Sequence, residues 1–336
     1  MKNNKSGITR RKFIQRSAGA IAAVTAYGLI PSSDKIAGLT DQKPEILRRK
    51  LGKTGLEVSL LSFGGGSQFL RNQNGDWEQV LEAAIAGGIN LFDTASSYTS
   101  ASMNLEGPKS PDSEDRYGQI LASHRKKIIL STKLESRDPE QAKSELEASL
   151  RRMKTDHVDI LFIHAILPTD NTSEIEKGLY KTMLSLKESG MTKNIGFSSM
   201  DSAERSAELI EKLDFDVVLL AMNATNHGNF IKVTLPAARK KNVGVIAMKA
   251  LRDIVGKDAT ARELLEYVWS QDGVSSSLVG HFGIKSLQEN LQLAREFSKT
   301  GISSLNLKEL EQRMARHSGP HTLSWARPGY VDGQLV

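Results

Sequence analysis

The sequence predicts an α/β fold, a (β/α)8 TIM barrel with an N-terminal β-hairpin and a C-terminal helix plus tail. Three observations lead to this prediction. The chain has 336 residues, enough for one large barrel. Apolar strand-like runs alternate with amphipathic helical stretches, which is the pattern of parallel strands joined by helices. Polar residues able to move protons end three consecutive runs, and catalytic groups lie at the C-terminal ends of barrel strands.

Residues 1–38 read as a leader and linker. Arg10 and Arg11 precede an apolar stretch from about Ala18 to Ile30, which predicts a twin-arginine-type export signal. We therefore expect the twin-arginine export machinery as a partner and a periplasmic or otherwise exported protein, or a cytoplasmic one if the leader is not used. An uncleaved amphipathic anchor is the alternative. The stretch is short for a membrane span, so we expect no stable anchor after cleavage.

Charge and cysteine content narrow the functional classes. Residues 1–30 hold six basic and no acidic residues, and the remaining 39 basic residues equal the 39 acidic ones. The body of the protein is therefore near neutral, which argues against a nucleic-acid partner. The chain has no cysteine, so disulfides, thiolate metal sites and cysteine nucleophiles are excluded.

The predicted barrel covers residues 45–317 and opens with a hairpin. Apolar residues flank a Gly-bounded turn between Arg48 and Ser59. Eight candidate strands follow, at Leu60–Phe63, Asn90–Thr94, Lys127–Lys133, Val158–His164, Asn194–Ser198, Val217–Met222, Val243–Met248 and Ser276–Gly280.

Helix start signals fall between these strands. Asp138 before a first-turn proline indicates an N-cap, and Asp201 or Ser202 can cap a later helix. A doubly wound sheet is the competing fold, but the Gly run that begins at Gly64 is too loose a match to its phosphate-binding turn.

Two segments are candidates for shaping a pocket at the C-terminal face of the barrel. The tail, residues 318–336, is a candidate substrate lid, with Trp325 and Tyr330 as apolar contacts. The long loop from Thr99 to Asp112 is the other, because loops on a rigid barrel set specificity. A tolerated insertion is the alternative for that loop.

Four residues form the predicted catalytic constellation. Asp93, Lys133 and His164 end three consecutive strands, and Tyr98 follows the first of them closely. An acid, a cation, a phenol and an imidazole brought to one edge form a proton-transfer site. The alternatives are a helix cap, a structural ion pair, a half-buried aromatic and a core histidine. Together those alternatives would leave a buried lysine at the barrel mouth unexplained, although burying an unpaired charge costs free energy.

From Arg48 to about Ala294 the chain resembles the aldo/keto reductases, which are NADP(H)- or NAD(H)-dependent barrel enzymes. The matching stretches begin at Leu51, Phe92, Ser131, Val158, Ile195 and Gln288, in the order and at spacings that suit the family. The resemblance places Asp93, Tyr98, Lys133 and His164 at the catalytic positions. It implies that Tyr98 exchanges a proton with the substrate oxygen, that Lys133 lowers the pKa of that phenol while Asp93 holds Lys133, and that His164 orients the carbonyl.

The resemblance also implies a set of cofactor contacts. These are Gly64, Gly65, Asp93, Ser198, Ser199, Met248, Lys249, Leu251, Gly280, Lys285, Glu289 and Asn290. Lys249 would point at the pyrophosphate. Ser199, Leu219 and Ser286 stand where the family usually has an Asn, a Gln and an Arg, so three customary contacts are lost.

The function implied is interconversion of a carbonyl and an alcohol by hydride transfer, with NADP as the expected cofactor and NAD as the alternative. The substrate would be a sugar or another small carbonyl or alcohol. Because an exported enzyme has no recycled NADPH pool outside the cytoplasm, we expect a tightly bound cofactor. An exported non-catalytic barrel acting as a binding or accessory protein is the alternative. No His/Asp cluster has ligand spacing, so no metal is expected.

Overall fold

The computed structural model describes residues 45–101 and 110–333. The predicted leader, residues 1–38, therefore lies outside the described residues, as do residues 102–109 of the long loop and the last three residues of the chain.

Eight parallel strands close into a barrel, which confirms the predicted fold. In chain order after the hairpin strands they are β3 Leu61–Gly64, β4 Leu91–Asp93, β5 Ile129–Leu134, β6 Val158–Ile166, β7 Thr192–Ser199, β8 Val217–Ala221, β9 Gly244–Met248 and β10 Val274–Val279. Each pairs with its neighbours in sequence, and β10 pairs with β3 to close the ring. Nearly every strand residue is buried, as expected for strands covered by helices outside and side chains inside.

The predicted hairpin consists of β1, Arg48–Lys50, and β2, Glu57–Ser59, paired antiparallel. It lies against the N-terminal end of the barrel, where the Lys53 amide donates to the Asn242 carbonyl at 2.8 Å, just before β9. Gly52 makes this approach feasible. Its φ is +51°, and a Cβ there would lie 2.3 Å from the Gly244 backbone nitrogen, so only glycine fits the turn.

Helices cover the outside of the barrel. They are α1 Ser67–Leu70, α2 Asp76–Ala86, α3 Ser113–Ile120, α4 Pro139–Met153, α5 Thr172–Lys177, α6 Leu179–Glu188, α7 Ala203–Lys212, α8 Thr234–Lys240, α9 Ala261–Trp269, α10 Gly283–Thr300 and α11 Leu307–Met314. No helix in the described part of the chain is long and apolar enough to cross a membrane.

The predicted helix starts are correct in position. Asp138 caps α4 by accepting from the Glu140 amide, as its side chain and the following proline predict. Ser202 occupies the N-cap position of α7, but its side chain makes no capping bond. Position can be predicted from residue type, whereas the capping bond depends on how the loop enters the helix.

Candidate active site

Lys133 is the centre of a buried ion pair at the C-terminal end of the barrel. Its Nζ lies 2.6 Å from Asp93 Oδ2, 2.8 Å from the Thr94 carbonyl and 3.2 Å from Tyr98 Oη. Ser131 donates to the other Asp93 oxygen at 2.7 Å. The side chains of Lys133 and Asp93 are only 1% and 3% exposed. Strands β4 and β5 are adjacent, so their ends bring these predicted residues together.

His164 completes the constellation on the next strand. Its ring lies edge-on to the Tyr98 ring, with centroids 5.7 Å apart. Both carboxylate oxygens of Glu135 lie 2.7 and 2.8 Å from His164 Nδ1. Burial alone would lower the pKa of His164, but hydrogen bonds with Asp332 and Glu135 raise it overall. Glu135 was not predicted as a site residue from the sequence, although its position two residues after Lys133, near the same strand end, could have indicated it.

The C-terminal tail reaches into the site. Asp332 Oδ2 accepts from Tyr98 Oη at 2.6 Å and lies 3.3 Å from His164 Nε2. Asp332 Oδ1 accepts from Lys249 Nζ at 2.6 Å and from Tyr330 Oη at 3.0 Å. The side chain of Asp332 is 9% exposed. Burial would raise the pKa of Asp332, but Lys249 and His164 hold it well below its usual value.

Lys133 was expected to lower the pKa of Tyr98, but this arrangement raises that pKa. Burial is the largest influence and, with the charges of Asp332 and Asp93, raises the pKa of Tyr98 well above its usual value. With the tail carboxylate against it, the phenol is a hydrogen-bond donor and its proton is firmly held. Sequence reasoning counted one cation beside the phenol and could not include a carboxylate from the far end of the chain.

A cleft of about 440 Å³ opens beside this network. Seven of the predicted cofactor residues line it, namely Gly64, Asp93, Met248, Lys249, Leu251, Gly280 and Asn290. Tyr98 and Asp332 lie on the same wall. The cleft therefore joins the catalytic constellation to the ends of β9, β10 and β3.

The paired serines at the end of β7 do not line the cleft. Ser198 Oγ accepts from the Ala165 amide at 2.8 Å, and Ser199 Oγ donates to the Ile166 carbonyl at 3.2 Å. Ala165 has a φ of +51°, and the β6–β7 register shifts between Ile163 and Ile166. Both hydroxyls are therefore engaged in holding an irregular end of β6, and their expected contact with the nicotinamide carboxamide stays a prediction.

Three other predicted contacts also lie away from the cleft lining. Gly65 faces the interior, where a Cβ would lie 2.5 Å from Ser113 Oγ, so packing accounts for this glycine. Lys285 and Glu289 have side chains 89% and 63% exposed, with their charged atoms 3.9 Å apart on the surface of α10. Their roles in binding stay predictions.

Several cleft residues were not identified in the sequence. Gly66, Ser67 and Phe282 line the cleft, and so does Arg252, whose Nη1 donates to Ser67 Oγ at 2.7 Å. This bond links the loop after β9 to the start of α1, which follows β3. No sequence pattern pairs residues so far apart, so only the closed ring brings them together. The cleft thus offers cationic, amide and hydroxyl groups along apolar walls, together with the carboxylates of Asp93, Asp253 and Asp332.

Comparisons with known proteins agree with this geometry. The family model described as the aldo/keto reductase family matches residues 60–257. The chain is 26% identical over 303 residues to L-galactose dehydrogenase of Arabidopsis thaliana, covering 78% of this chain and 92% of that protein. It is 27% identical over 223 residues to L-glyceraldehyde 3-phosphate reductase of Escherichia coli K12, covering 60% and 61%.

A solved structure has the same fold. An aldo-keto reductase from Bacillus halodurans, in its holo form, superposes with a TM-score of 0.64 at 19% identity, covering 82% of this chain and 97% of that one. The match of the family model spans more than half of the chain and includes all four predicted catalytic residues. This chain therefore belongs to the aldo/keto reductase family and is an NAD(P)-dependent oxidoreductase acting on carbonyl and alcohol groups.

Proposed function

We propose that this enzyme interconverts a small carbonyl compound, sugars included, and its alcohol, with Tyr98 as general acid and base. The observation that carries the proposal is the contact of Lys133 Nζ with both Asp93 and Tyr98 Oη, beside His164 at the mouth of the barrel. A dinucleotide, when bound, supplies the hydride for the carbonyl carbon. The residues of this chain then have to supply a proton and hold the substrate oxygen.

Each residue has a definable task in that proton transfer. Tyr98 donates its hydroxyl proton to the carbonyl oxygen in the direction of reduction, and its phenolate takes the proton back in oxidation. Lys133, 3.2 Å from the phenolic oxygen, stabilises the phenolate as it forms. Asp93 keeps Lys133 in position and balances its charge. His164, held through Nδ1 by the Glu135 carboxylate, donates from Nε2 to the substrate oxygen.

The cleft residues fit a dinucleotide. Backbone at Gly64, Gly66 and Gly280 would allow close approach of the cofactor, and Asn290 would contact the adenine. We propose NADP as the cofactor, with NAD as the alternative. Lys285 in the first turn of α10 supports NADP, because its side chain is 89% exposed and only loosely paired with Glu289, so that its charge can approach a 2′-phosphate.

The contacts of the tail support its role as a lid. Asp332 and the adjacent Gly333 lie against Tyr98, and a Cβ on Gly333 would come within 2.2 Å of the Tyr98 ring. With Asp332 on the phenol, a substrate oxygen cannot reach the proton donor. We therefore propose that the tail gives way when substrate binds and closes the site otherwise.

We further propose that the protein is exported with its cofactor already bound. The motivation is the twin-arginine-type leader before a complete set of catalytic residues. Denaturing the purified exported protein and identifying the released dinucleotide by mass spectrometry tests this and also separates NADP from NAD. Release of one dinucleotide per protein is the expected result, and an empty protein that binds added NADPH readily would contradict it.

Replacing Tyr98 by Phe tests the catalytic role. We expect Tyr98→Phe to lower kcat by about 10²–10⁴-fold, the usual contribution of a general acid, with the Kd for NADPH unchanged. Tyr180→Phe is the matched control, because Tyr180 bonds to the Asp214 amide on the outside of the barrel. Carbonyl reduction in Tyr98→Phe at the rate of this control would refute the assignment.

A further inference from the structure

The carboxylate of Asp332 occupies the catalytic pocket as a ligand would. One of its oxygens lies 2.6 Å from Tyr98 Oη and 3.3 Å from His164 Nε2, where the proposed function places the substrate oxygen. The other oxygen lies 2.6 Å from Lys249 Nζ. The pocket therefore has a second oxygen position, next to that of the reacting oxygen and served by a cation.

The cation in this second position depends on Asp332 for its charge balance. The side chain of Lys249 is 11% exposed, and within residues 45–101 and 110–333 its carboxylate partner is Asp332 alone. Tyr330 Oη, which also contacts Lys249 Nζ at 3.0 Å, is neutral. If the tail leaves to admit a substrate, Lys249 loses this counter-charge, and the carboxylate of an anionic substrate can replace it. A neutral molecule entering the pocket would leave Lys249 without a carboxylate partner.

We propose that Tyr98, His164 and Lys249 form a subsite for a carbonyl compound that carries a carboxylate next to the reacting carbon. The substrate class is the 2-oxo acids and the corresponding 2-hydroxy acids. This inference rests on the proposed function and assigns Lys249 to the substrate rather than to the pyrophosphate predicted from the sequence.

The arrangement accounts for both oxygens of such a substrate. The ketone oxygen replaces Asp332 Oδ2 against Tyr98 and His164, and a carboxylate oxygen replaces Oδ1 against Lys249. In reduction the ketone carbon receives a hydride, with its two electrons, which a bound dinucleotide would supply, and the ketone oxygen receives a proton from Tyr98. The carboxylate is unchanged, and the products are the 2-hydroxy acid and the oxidised dinucleotide.

A matched pair of substrates tests the subsite. Phenylglyoxylate and its methyl ester share one ketone and differ in the negative charge. We expect kcat/KM for the acid to exceed that for the ester at least tenfold, although the ketone of the ester is the more electrophilic of the two ketones. In Lys249→Met this ratio should fall at least tenfold, and Lys249→Arg, which keeps the cation, should retain it.

The ratio separates this inference from other roles of Lys249. If Lys249→Met weakens NADPH binding and slows both substrates equally, Lys249 serves the dinucleotide and the inference is wrong. Efficient Tyr98-dependent reduction of the ester or of neutral sugars, with no preference for the acid, would overturn the inference and leave the proposed function intact. A protein that carries no dinucleotide and binds neither NADPH nor NADH would instead overturn the proposed function.

Asp332 itself provides a second, independent measurement. Benzoate serves as a probe that carries a carboxylate but no reacting ketone. Because Asp332→Asn removes the competing charge, we expect benzoate to inhibit that variant at least tenfold more strongly than the wild-type enzyme. Equal inhibition of both proteins, or weaker inhibition of the variant, would mean that the pocket does not accept an external carboxylate in place of Asp332.

Discussion

The ion pair between Lys133 and Asp93 allows stability and catalysis to be measured separately. Its charged atoms are 2.6 Å apart and both side chains are almost fully buried. Lys133→Met leaves the Asp93 carboxylate buried without a cation. Breaking one partner of such a pair costs about 3–5 kcal/mol of unfolding free energy. For a domain of this size that corresponds to a fall in Tm of roughly 5–8 °C.

The double variant Lys133→Met/Asp93→Asn tests whether the unpaired Asp93 charge causes the loss of stability. Removing both charges should restore more than half of the lost stability, measured by urea unfolding, because no buried charge remains. Carbonyl reduction should stay low in both variants, since Tyr98 lacks its cation. Lys143→Met is the control: Lys143 is 66% exposed and 3.9 Å from Glu147, so its loss should change stability by less than about 1 kcal/mol. A single variant as stable as this control, or a double variant no more stable than the single, would refute the reasoning.

Three further predictions concern other contacts. Glu135→Gln removes a charge-assisted hydrogen bond to His164 worth about 1.5–3 kcal/mol, so kcat/KM should fall roughly 10–150-fold. Because the change also lowers the pKa of His164, the alkaline limb of the pH profile of kcat/KM should move to lower pH. An unchanged pH profile would contradict this prediction. Burial lowers the pKa of His281 from 6.5 to about 3. Between these pH values the unfolded state binds a proton that the folded state does not, so stability should fall as pH drops from 6.5 towards 3. In His281→Phe that part of the pH dependence of urea unfolding should vanish. Gly52→Ala should cost more unfolding free energy than Gly55→Ala, because both glycines have positive φ but only at Gly52 would the new Cβ meet backbone; equal losses would mean that φ strain alone acts.

The fold and the catalytic constellation could be predicted because both depend on local pattern. Each strand is a short apolar run, and Asp93, Lys133 and His164 lie at or just before the ends of theirs. In a parallel barrel that placement alone brings side chains from adjacent strands together. The chemistry of the four residues then followed from their types.

The tail contact could not be predicted from such patterns. Asp332 and Tyr98 are 234 positions apart, and the segment around Asp332 forms no helix or strand whose period would indicate its course. The tail was expected to act as a lid through apolar contacts of Trp325 and Tyr330. Trp325 is buried in the core and Tyr330 packs against it, as expected, but Tyr330 also contacts Lys249 through its hydroxyl. The contact with Tyr98 is made by the carboxylate of Asp332. The proposed lid stays a prediction.

The serines of β7 illustrate a second limit. Ser198 and Ser199 were assigned to the cofactor because the family uses that position. Here their hydroxyls bond to the β6 backbone around Ala165, whose positive φ could not be read from the residue type. Where a strand departs from regular geometry, the departure decides which hydrogen bonds its neighbour makes, and only the three-dimensional register reveals it.

The tail also carries a chromophore. Trp325 is 3% exposed and lies edge-on to His227, with ring centroids 5.2 Å apart. A tail displacement that reaches this residue would transfer the indole from a packed interior to water and shift its fluorescence emission to longer wavelength. Trp77 and Trp269, both buried on outer helices of the barrel, would contribute a constant background. The molecule therefore contains an optical reporter of the proposed tail movement, readable in a stopped-flow instrument without any label.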